Sequence, residues 1–500
     1  MQQHVYQRNH FAVYMSYLDK AIILFLFLLT ASAPLSIAAT QISWGIVLLL
    51  WVIRLFFQPR PVLKRSPVDY PLLAFFLLTV LSSFLSYEPV VSIGKLRAAG
   101  LLTIAFLFAR SVSTPRLVRA LALTLIASCM ISVCYTLGAR AIGRGVKVNN
   151  LTTDSPLRAA GIIEGDSLLQ INGHKVSTLD DVLREVISGL VESRIKVYRQ
   201  ELTPEFICHT STLLSGTSSS ERLGVTDWSR GRDWRATGFY DHYTTYSEAL
   251  QLIASLVIGL FFALPHKLSW KGALTVAVIV LMGIALILTS TRASWSALII
   301  SAFVIAFATP RKRAMLIVML GALLIIPVGL YLVRVQRGVG FLDPKDNSTI
   351  VREKIWRDGI RVTTESPRHL LFGVGMDSVK RHWQEWGLFD NGRLPVLHLH
   401  STYLQLAFER GVLTLLAWLV FLLVYTRMLW RLIRQRFAQR DEDNFVRGIL
   451  PGALGGLVGF ASSGLVHYNL GDSEVAMIFY IIMGLTLALY HQTIHLKIET

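Results

Sequence analysis

The chain has 500 residues, of which 53% are hydrophobic, and its mean hydropathy is +0.50. This apolar fraction is above that of ordinary soluble domains, and the apolar residues are gathered into runs long enough to cross a bilayer, which argues against a soluble protein. The formal net charge of +17 lies largely in short loops that alternate along the chain, a pattern that reports membrane topology rather than nucleic-acid binding.

The apolar runs predict an α-helical polytopic membrane protein with about twelve transmembrane helices. Arginines and lysines follow every second run, so the positive-inside rule predicts that both termini are cytoplasmic. The first run has no clear cleavage site and is interpreted as a retained helix. The predicted spans are 20–38, 41–57, 70–86, 97–111, 118–139, 246–264, 273–289, 294–309, 314–333, 405–426, 448–466 and 475–490.

A polar segment after the fifth span predicts an inserted soluble module at 140–212. The stretch "GVKVNNLTTDSPLRAAGIIEGDSLLQINGHKV" (145–176) alternates like strands separated by turns. Ser177 or Thr178 can cap the amphipathic helix "LDDVLREVIS", and 193–200 supplies a further strand. The part "SPLRAAGIIEGDSLLQINGHKV" resembles the core of bacterial PDZ domains, so the module is expected to be a small β-rich, PDZ-like domain.

The PDZ resemblance implies binding of C-terminal peptides by strand addition, with a loop of backbone N–H groups holding the carboxylate. The nearest counterpart of that loop is "GRGV" (143–146), where Arg144 departs from the usual hydrophobic residue. A peptide or protein partner is one expectation, and a structural or regulatory insert is an equal alternative. PDZ modules also accompany intramembrane metalloproteases, but the sequence has no His-Glu-x-x-His in any span, which argues against that class.

An arginine stands at the turn between two apolar runs in "LTSTRASWSALI" (288–299). The positive-inside rule disfavours Arg292 on the outer side of the membrane unless an anionic group uses it. The alternative is an interfacial arginine that extends to lipid headgroups.

A second group of arginines lies in "NSTIVREKIWRDGIRVTTESPRHLLFGVGMDSV" (347–379), which predicts an amphipathic helix ended by Ser-Pro. Its Arg352, Arg357 and Arg361 can face anionic groups of a substrate. The alternative is a solvated helix face lying on anionic lipid.

Two histidines precede the tenth predicted span in "PVLHLHSTYLQLAFERG" (395–411). His398 and His400 share a helix entry with Tyr403, and this clustering favours a functional site over a solvent-exposed histidine. No third metal ligand is close in sequence, so no metal is assigned. Because neighbours two apart point to different sides of a helix entry, only one imidazole is expected to face a cavity.

The order of these motifs resembles the O-antigen ligase and polymerase family of bacterial envelope glycosyltransferases, over roughly 235–490. The features that carry the resemblance are "TSTRASW", the amphipathic arginine helix before "SPRHLLFGVGMDS", "HSTYLQLAFERGVL" and the tip "HYNLGDSE" (467–474). Ser401 stands where the family often has Asn, and the PDZ-like insert is a second departure.

The resemblance implies a GT-C-like membrane enzyme that transfers a glycan (O-antigen) from undecaprenyl diphosphate, with inversion and without a metal or other cofactor. Guanidinium groups match phosphate oxygens bidentately, so Arg292 and Arg352 are the predicted diphosphate ligands. His400 is the candidate catalytic base or acceptor-orienting group. Secondary candidates for the same cavity are Arg235, His242, Arg357, Arg361, His398 and Tyr403.

The predicted acceptor is lipid A-core, as in an O-antigen ligase, and the location is the bacterial inner membrane with the site facing the periplasm. A polymerase of O-antigen or exopolysaccharide and a protein O-oligosaccharyltransferase are alternatives that the sequence does not separate. A non-catalytic transporter of the lipid-linked glycan is an alternative from another class, but the predicted spans are almost free of the ionisable residues that such transport needs. No nucleic-acid partner is expected.

These assignments divide the chain into five parts. Two helical parts enclose the module and its linker, and a large periplasmic loop with the catalytic residues separates the last three helices from the rest. The predicted boundaries are 1–139 for helices 1–5, 140–212 for the PDZ-like domain, 213–333 for a periplasmic linker with helices 6–9, 334–404 for the catalytic loop and 405–500 for helices 10–12.

Overall fold

A computed structural model of the chain describes residues 2–498 except 59–60, 62–63, 200–201, 311–312, 395–397 and 439–442, and within 322–346 it describes only residues 323, 327 and 331. The chain divides into two compact units. The first is Met1–Ser132 with Phe239–Thr500, and the second is Val133–Gly238. The first unit is helical, and the second carries a β-sheet.

The elements follow one another as three groups. Before the module lie α1 (Gln2–Ser32), α2 (Ile37–Arg54), α3 (Asp69–Phe84), α4 (Pro89–Gly94), α5 (Leu96–Gly100), α6 (Thr103–Ser111) and α7 (Pro115–Ile142). The module contains β1 (Arg144–Leu151), α8 (Pro156–Ala159), β2 (Ser167–Ile171), β3 (His174–Lys175), α9 (Leu179–Ser188), β4 (Glu192–Tyr198), β5 (Glu205–His209), α10 (Ser219–Leu223) and β6 (Val225–Gly231). After it lie α11 (Tyr243–Ala263), α12 (Trp270–Leu288), α13 (Arg292–Ala308), α14 (Asn347–Thr364), α15 (Pro367–Phe372), α16 (Val379–His382), α17 (Thr402–Ala438), α18 (Asn444–Ser463) and α19 (Ser473–Ile498).

Many of the helices are apolar enough to span a bilayer, which confirms a polytopic helical membrane protein. Two shorter apolar helices, α3 and α13, coincide with predicted spans. The predicted total of twelve stays a prediction, because the span at 314–333 falls partly outside the described residues. Within the described residues, eight segments are long enough to cross: Ile37–Arg54, Pro89–Ser111, Pro115–Ile142, Tyr243–Ala263, Trp270–Leu288, Thr402–Ala438, Asn444–Ser463 and Ser473–Ile494.

Glycines let α11 and α18 pack closely. A Cβ added at Gly452 would lie 2.8 Å from the Cα of Leu256, so the two backbones nearly touch. Small residues at such contacts are the usual means by which membrane helices associate. The close approach brings Glu248 of α11 within hydrogen-bonding distance of Ser463 of α18.

The segment from α14 to 394 folds against the start of α17. Ile355 and Val362 of α14 are fully buried together with Leu399 and Phe408. The amphipathic helix predicted before Ser-Pro is α14, which ends at Thr364, and Ser366 caps the following helix α15 through the amide of His369. This small apolar core fixes the segment that carries His398 and His400.

The second unit is an antiparallel sheet in the order β5-β4-β2-β1-β6, with β3 paired to β2. Its own core includes Val146, Leu168, Val182 and Ile195, all fully buried. The predicted helix is confirmed as α9, and its cap is Thr178, whose hydroxyl accepts from the amide of Asp181 in a capping box. The likeness to PDZ domains stays a prediction.

Two details predicted for the module differ in the structure. The "GRGV" segment is not an open loop: Arg144 lies opposite Gly231 of β6, and Val146 lies opposite Leu168 of β2. The unit also extends past 212 to Gly238, because β6 pairs with β1 along its length. The sequence missed this pairing since the two strands are distant along the chain.

Replacing residues 144–231 by a short Gly/Ser linker is expected to leave the membrane helices folded, because the module has its own core and its own sheet. The purified variant should elute as a single peak in detergent, with a thermal midpoint close to that of the parent. A matched deletion of 145–212 should give less folded protein, because it leaves β6 without β1 and exposes Val225. Loss of membrane assembly in the complete deletion would show instead that the module is needed for the helices to fold.

Candidate active site

The two histidines lie on a tight turn before α17 that is held from both sides. His400 has a φ of 49°, a left-handed conformation that is costly for a residue with a Cβ and persists only where its surroundings impose it. The amide of the buried Leu399 donates to the side-chain oxygen of Gln405 at 2.6 Å. The indole N–H of Trp356 donates to the Leu399 carbonyl at 2.8 Å. Helix α14 therefore fixes the backbone of the turn.

The start of α17 is also tied to the segment after α18. The amide of Thr402 donates to the carbonyls of Gly464 at 2.8 Å and His467 at 3.0 Å. Its hydroxyl donates to Asn469 Oδ1 at 2.8 Å, and Asn469 in turn donates to Phe460 O at 2.8 Å. The tip "HYNLGDSE", whose Asn469 is part of this network, is thereby joined to the histidine turn.

The imidazoles of His398 and His400 contact each other, with ring centroids 4.1 Å apart. The amide of His400 donates to Nδ1 of His398 at 3.2 Å, so Nδ1 is the unprotonated nitrogen of His398. The expectation that neighbours two apart point to different sides is wrong here. It assumed helical geometry, whereas the left-handed turn at His400 brings both rings together.

The site is electrostatically positive around His400. Burial, followed in order by His398, Arg352, His467 and His242, lowers the pKa of His400 to about 3. The pKa of His398 is also lowered, chiefly by burial and then by nearby His242 and His467. Both imidazoles are therefore neutral at neutral pH, and each ring has a nitrogen that can accept a proton.

Arg352 and Arg292 lie in different helices. Arg352 is half-buried in the first turns of α14 and lies close enough to His400 to affect its pKa. Arg292 is the first residue of α13 and is half-buried. Two residues further along, the hydroxyls of Ser294 and Ser247 share a hydrogen bond of 2.8 Å. Ser294 also donates to Glu248 at 3.3 Å. Glu248 contacts His467, which connects the Arg292 turn to the histidine turn.

The structure places some of the secondary candidates near His400 and others away from it. His242 caps α11 through the amide of Thr244 and lies near His400. Arg357 is exposed and pairs with Glu353 at 2.9 Å, and Arg361 donates to the carbonyl of Trp386 at 2.7 Å, so neither points its charge at His400.

Tyr403 donates to the carbonyl of Ala461 at 2.7 Å and lines an apolar groove between α17 and α18. Arg235 belongs to the second unit, where its amide donates to Tyr198.

Sequence reasoning missed the ionisable residues buried in the spans. Glu248, Glu409 and Arg410 are each at most 6% exposed and lie within segments able to cross the membrane. The expectation that the spans are almost free of such residues therefore needs correction. The sequence signal that could have revealed these residues is an acidic residue in an otherwise apolar run, as in "YSEALQL" (246–252).

The fold defines a multi-pass membrane protein, and its candidate site lies where arginine- and histidine-bearing turns meet helix ends. The family model described as O-Antigen ligase matches residues 277–419, which shows that the chain carries an O-antigen ligase family domain and confirms the predicted family. The family indicates a membrane glycosyltransferase. A comparison with curated proteins gives no match. The module of the second unit lies outside the matched residues.

Proposed function

We propose that the protein transfers a glycan from undecaprenyl diphosphate to lipid A-core, at the periplasmic side of a bacterial inner membrane, with inversion at the anomeric carbon and no metal. One observation supports this more than any other: the segment that matches the O-antigen ligase family contains Arg292, Arg352 and His400, and Arg352 is close enough to His400 to lower its pKa.

The reaction makes three demands that these residues meet. The acceptor oxygen forms a bond to the anomeric carbon, the bond from that carbon to the diphosphate breaks, and its electron pair leaves with the diphosphate. The guanidinium groups of Arg292 and Arg352 bind the diphosphate and stabilise the charge that grows on it. The neutral imidazole of His400 accepts the proton of the attacking hydroxyl.

Donor binding should make His400 a stronger base. In the free protein its pKa is held down by burial and by cationic neighbours that include Arg352. A bound diphosphate brings negative charge that offsets the charge of the arginine, and a nearby anion favours the protonated imidazole. The donor is therefore expected to bind before the acceptor hydroxyl is deprotonated.

Reconstitution of the purified protein with a lipid-diphosphate-linked glycan tests the proposal. Transfer to lipid A-core is expected, and it should continue in excess EDTA because arginines take the place of a metal. Two other acceptors, a second lipid-linked repeat and a peptide rich in hydroxyl side chains, separate the ligase from the polymerase and the protein transferase. Movement of intact donor between leaflets without any product would instead identify a transporter.

A further inference from the structure

A buried histidine–glutamate pair lies beside the proposed site. Nδ1 of His467 is 2.8 Å from Oε1 of Glu248, and the side chains are only 9% and 1% exposed. Ser463 donates to the other carboxylate oxygen at 2.7 Å, and Ser294 donates to Oε1 at 3.3 Å. A carboxylate inside a membrane helix is costly unless its oxygens are satisfied, and here three side chains satisfy it.

The pair stands between the two turns that carry the predicted site residues. Glu248 accepts from Ser294, which lies in the first turn of α13 with Arg292. The carbonyl of His467 accepts from the amide of Thr402, two residues after His400. His467 is also among the groups close enough to lower the pKa of His400.

The contact with Glu248 decides which nitrogen a neutral His467 offers as a base. Because an ionised carboxylate only accepts hydrogen bonds, a neutral imidazole that contacts it through Nδ1 carries its proton there and its lone pair on Nε2. Among the residues that the structure describes, Nε2 of His467 has no hydrogen-bond partner. The carboxylate on the opposite side of the ring would compensate the charge of an imidazolium, as the carboxylate does in a Ser-His-Asp triad.

In the described part of the chain, no carboxylate is hydrogen-bonded to the ring of His400. Its ring lies against His398, and Arg352 is close enough to lower its pKa, so these neighbours disfavour a positive charge on His400. The protonated form of His400 is therefore unfavourable, and its proton is expected to pass to another base. Glu248, by contrast, is in direct contact with Nδ1 of His467.

We propose that His467 and Glu248 are the proton sink of the transfer reaction: His467 Nε2 receives, through His400, the proton released by the acceptor hydroxyl, and Glu248 stabilises the resulting imidazolium. This rests on the proposed glycosyl transfer. The new bond joins the acceptor oxygen to the anomeric carbon, the electron pair of the broken bond leaves with the diphosphate, and the proton ends on Nε2 until water removes it. His467 and Glu248 act through His400 and are positioning residues.

Azide separates this role from a structural one, because azide is a nucleophile that carries no proton. We expect His467→Gln to lower kcat for transfer to the hydroxyl acceptor on the order of 10²-fold, with donor Kd and acceptor KM changed by less than about threefold. In the presence of azide the same variant should form glycosyl azide at the rate of the wild-type protein. Glu248→Gln should behave similarly with a smaller loss, and Glu248→Asp should recover part of the activity.

Glu409→Gln is the matched control, since Glu409 is another buried carboxylate in a span and accepts from the amide of Asp377 at 3.0 Å and not from His467. It should leave the ratio of hydroxyl to azide transfer unchanged. Loss of both reactions in a stably folded His467→Gln protein, or full hydroxyl transfer by it, would overturn the proton sink. If the wild-type protein formed neither product from the lipid-linked donor, the proposed function itself would be wrong.

Discussion

Alanine at Arg352 is expected to reduce glycan transfer by on the order of 10²–10³-fold, the loss typical when one preorganised donor to a developing anion is removed. Arg352 is close enough to His400 to lower its pKa, so it can stabilise the proposed diphosphate leaving group while the hydroxyl attacks. Arg292→Ala should have an effect of similar size, because Arg292 begins the helix whose first turn is bonded to Glu248. Lysine at either position should restore only part of the rate, since an ammonium cannot reproduce the two parallel hydrogen bonds of a guanidinium.

The control for these variants is Arg357→Ala. Arg357 lies on the same helix as Arg352, but its side chain is 75% exposed and pairs with Glu353. It should keep wild-type activity, which would show that loss of positive charge from α14 is not by itself enough to reduce transfer. Donor affinity, measured by competition with a fluorescent lipid diphosphate, should fall for Arg292→Ala and Arg352→Ala. Full transfer by both of these alanine variants would remove the arginines from the diphosphate site.

Alanine at His400 is expected to lose on the order of 10²–10⁴ in rate while donor binding persists, because a positioned base contributes to turnover and not to the affinity for the diphosphate. His398→Ala should lose less. His398 accepts from the amide of His400 and contacts its ring, so its removal disturbs the orientation of His400 without removing the base.

The pH dependence gives a second readout for His400. A histidine can accept a proton only above its pKa, and burial together with the neighbouring cations lowers the pKa of His400 to about 3 in the free protein. For kcat/KM, which reports the free protein, the ratio of wild-type to His400→Ala rates should therefore stay constant between about pH 5 and pH 8. A ratio that falls towards acid with a midpoint in that range would mean that His400 titrates there, contrary to its buried, positive surroundings.

Local sequence predicted the parts of this protein that depend on near neighbours. Apolar runs predicted helices such as α12, and Thr178 was one of two residues expected to cap α9. The prediction of the family also came from short motifs, since "TSTRASW" and "HSTYLQLAFERGVL" lie in the segment that matches the O-antigen ligase family. A span, a cap or a motif is written in consecutive residues, so no knowledge of the rest of the chain is needed to recognise it.

Tertiary structure decided which distant residues meet. The pairing of β6 with β1 placed the end of the module at Gly238, and the contact of α11 with α18 brought Glu248 to Ser463 and to His467. The same folding placed the charge of Arg357 in solvent, although the sequence had grouped it with Arg352 on one amphipathic helix. Electrostatic energy depends on distance and burial, which the chain acquires only when helices pack, so the low pKa of His400 could not be predicted from the letters around it.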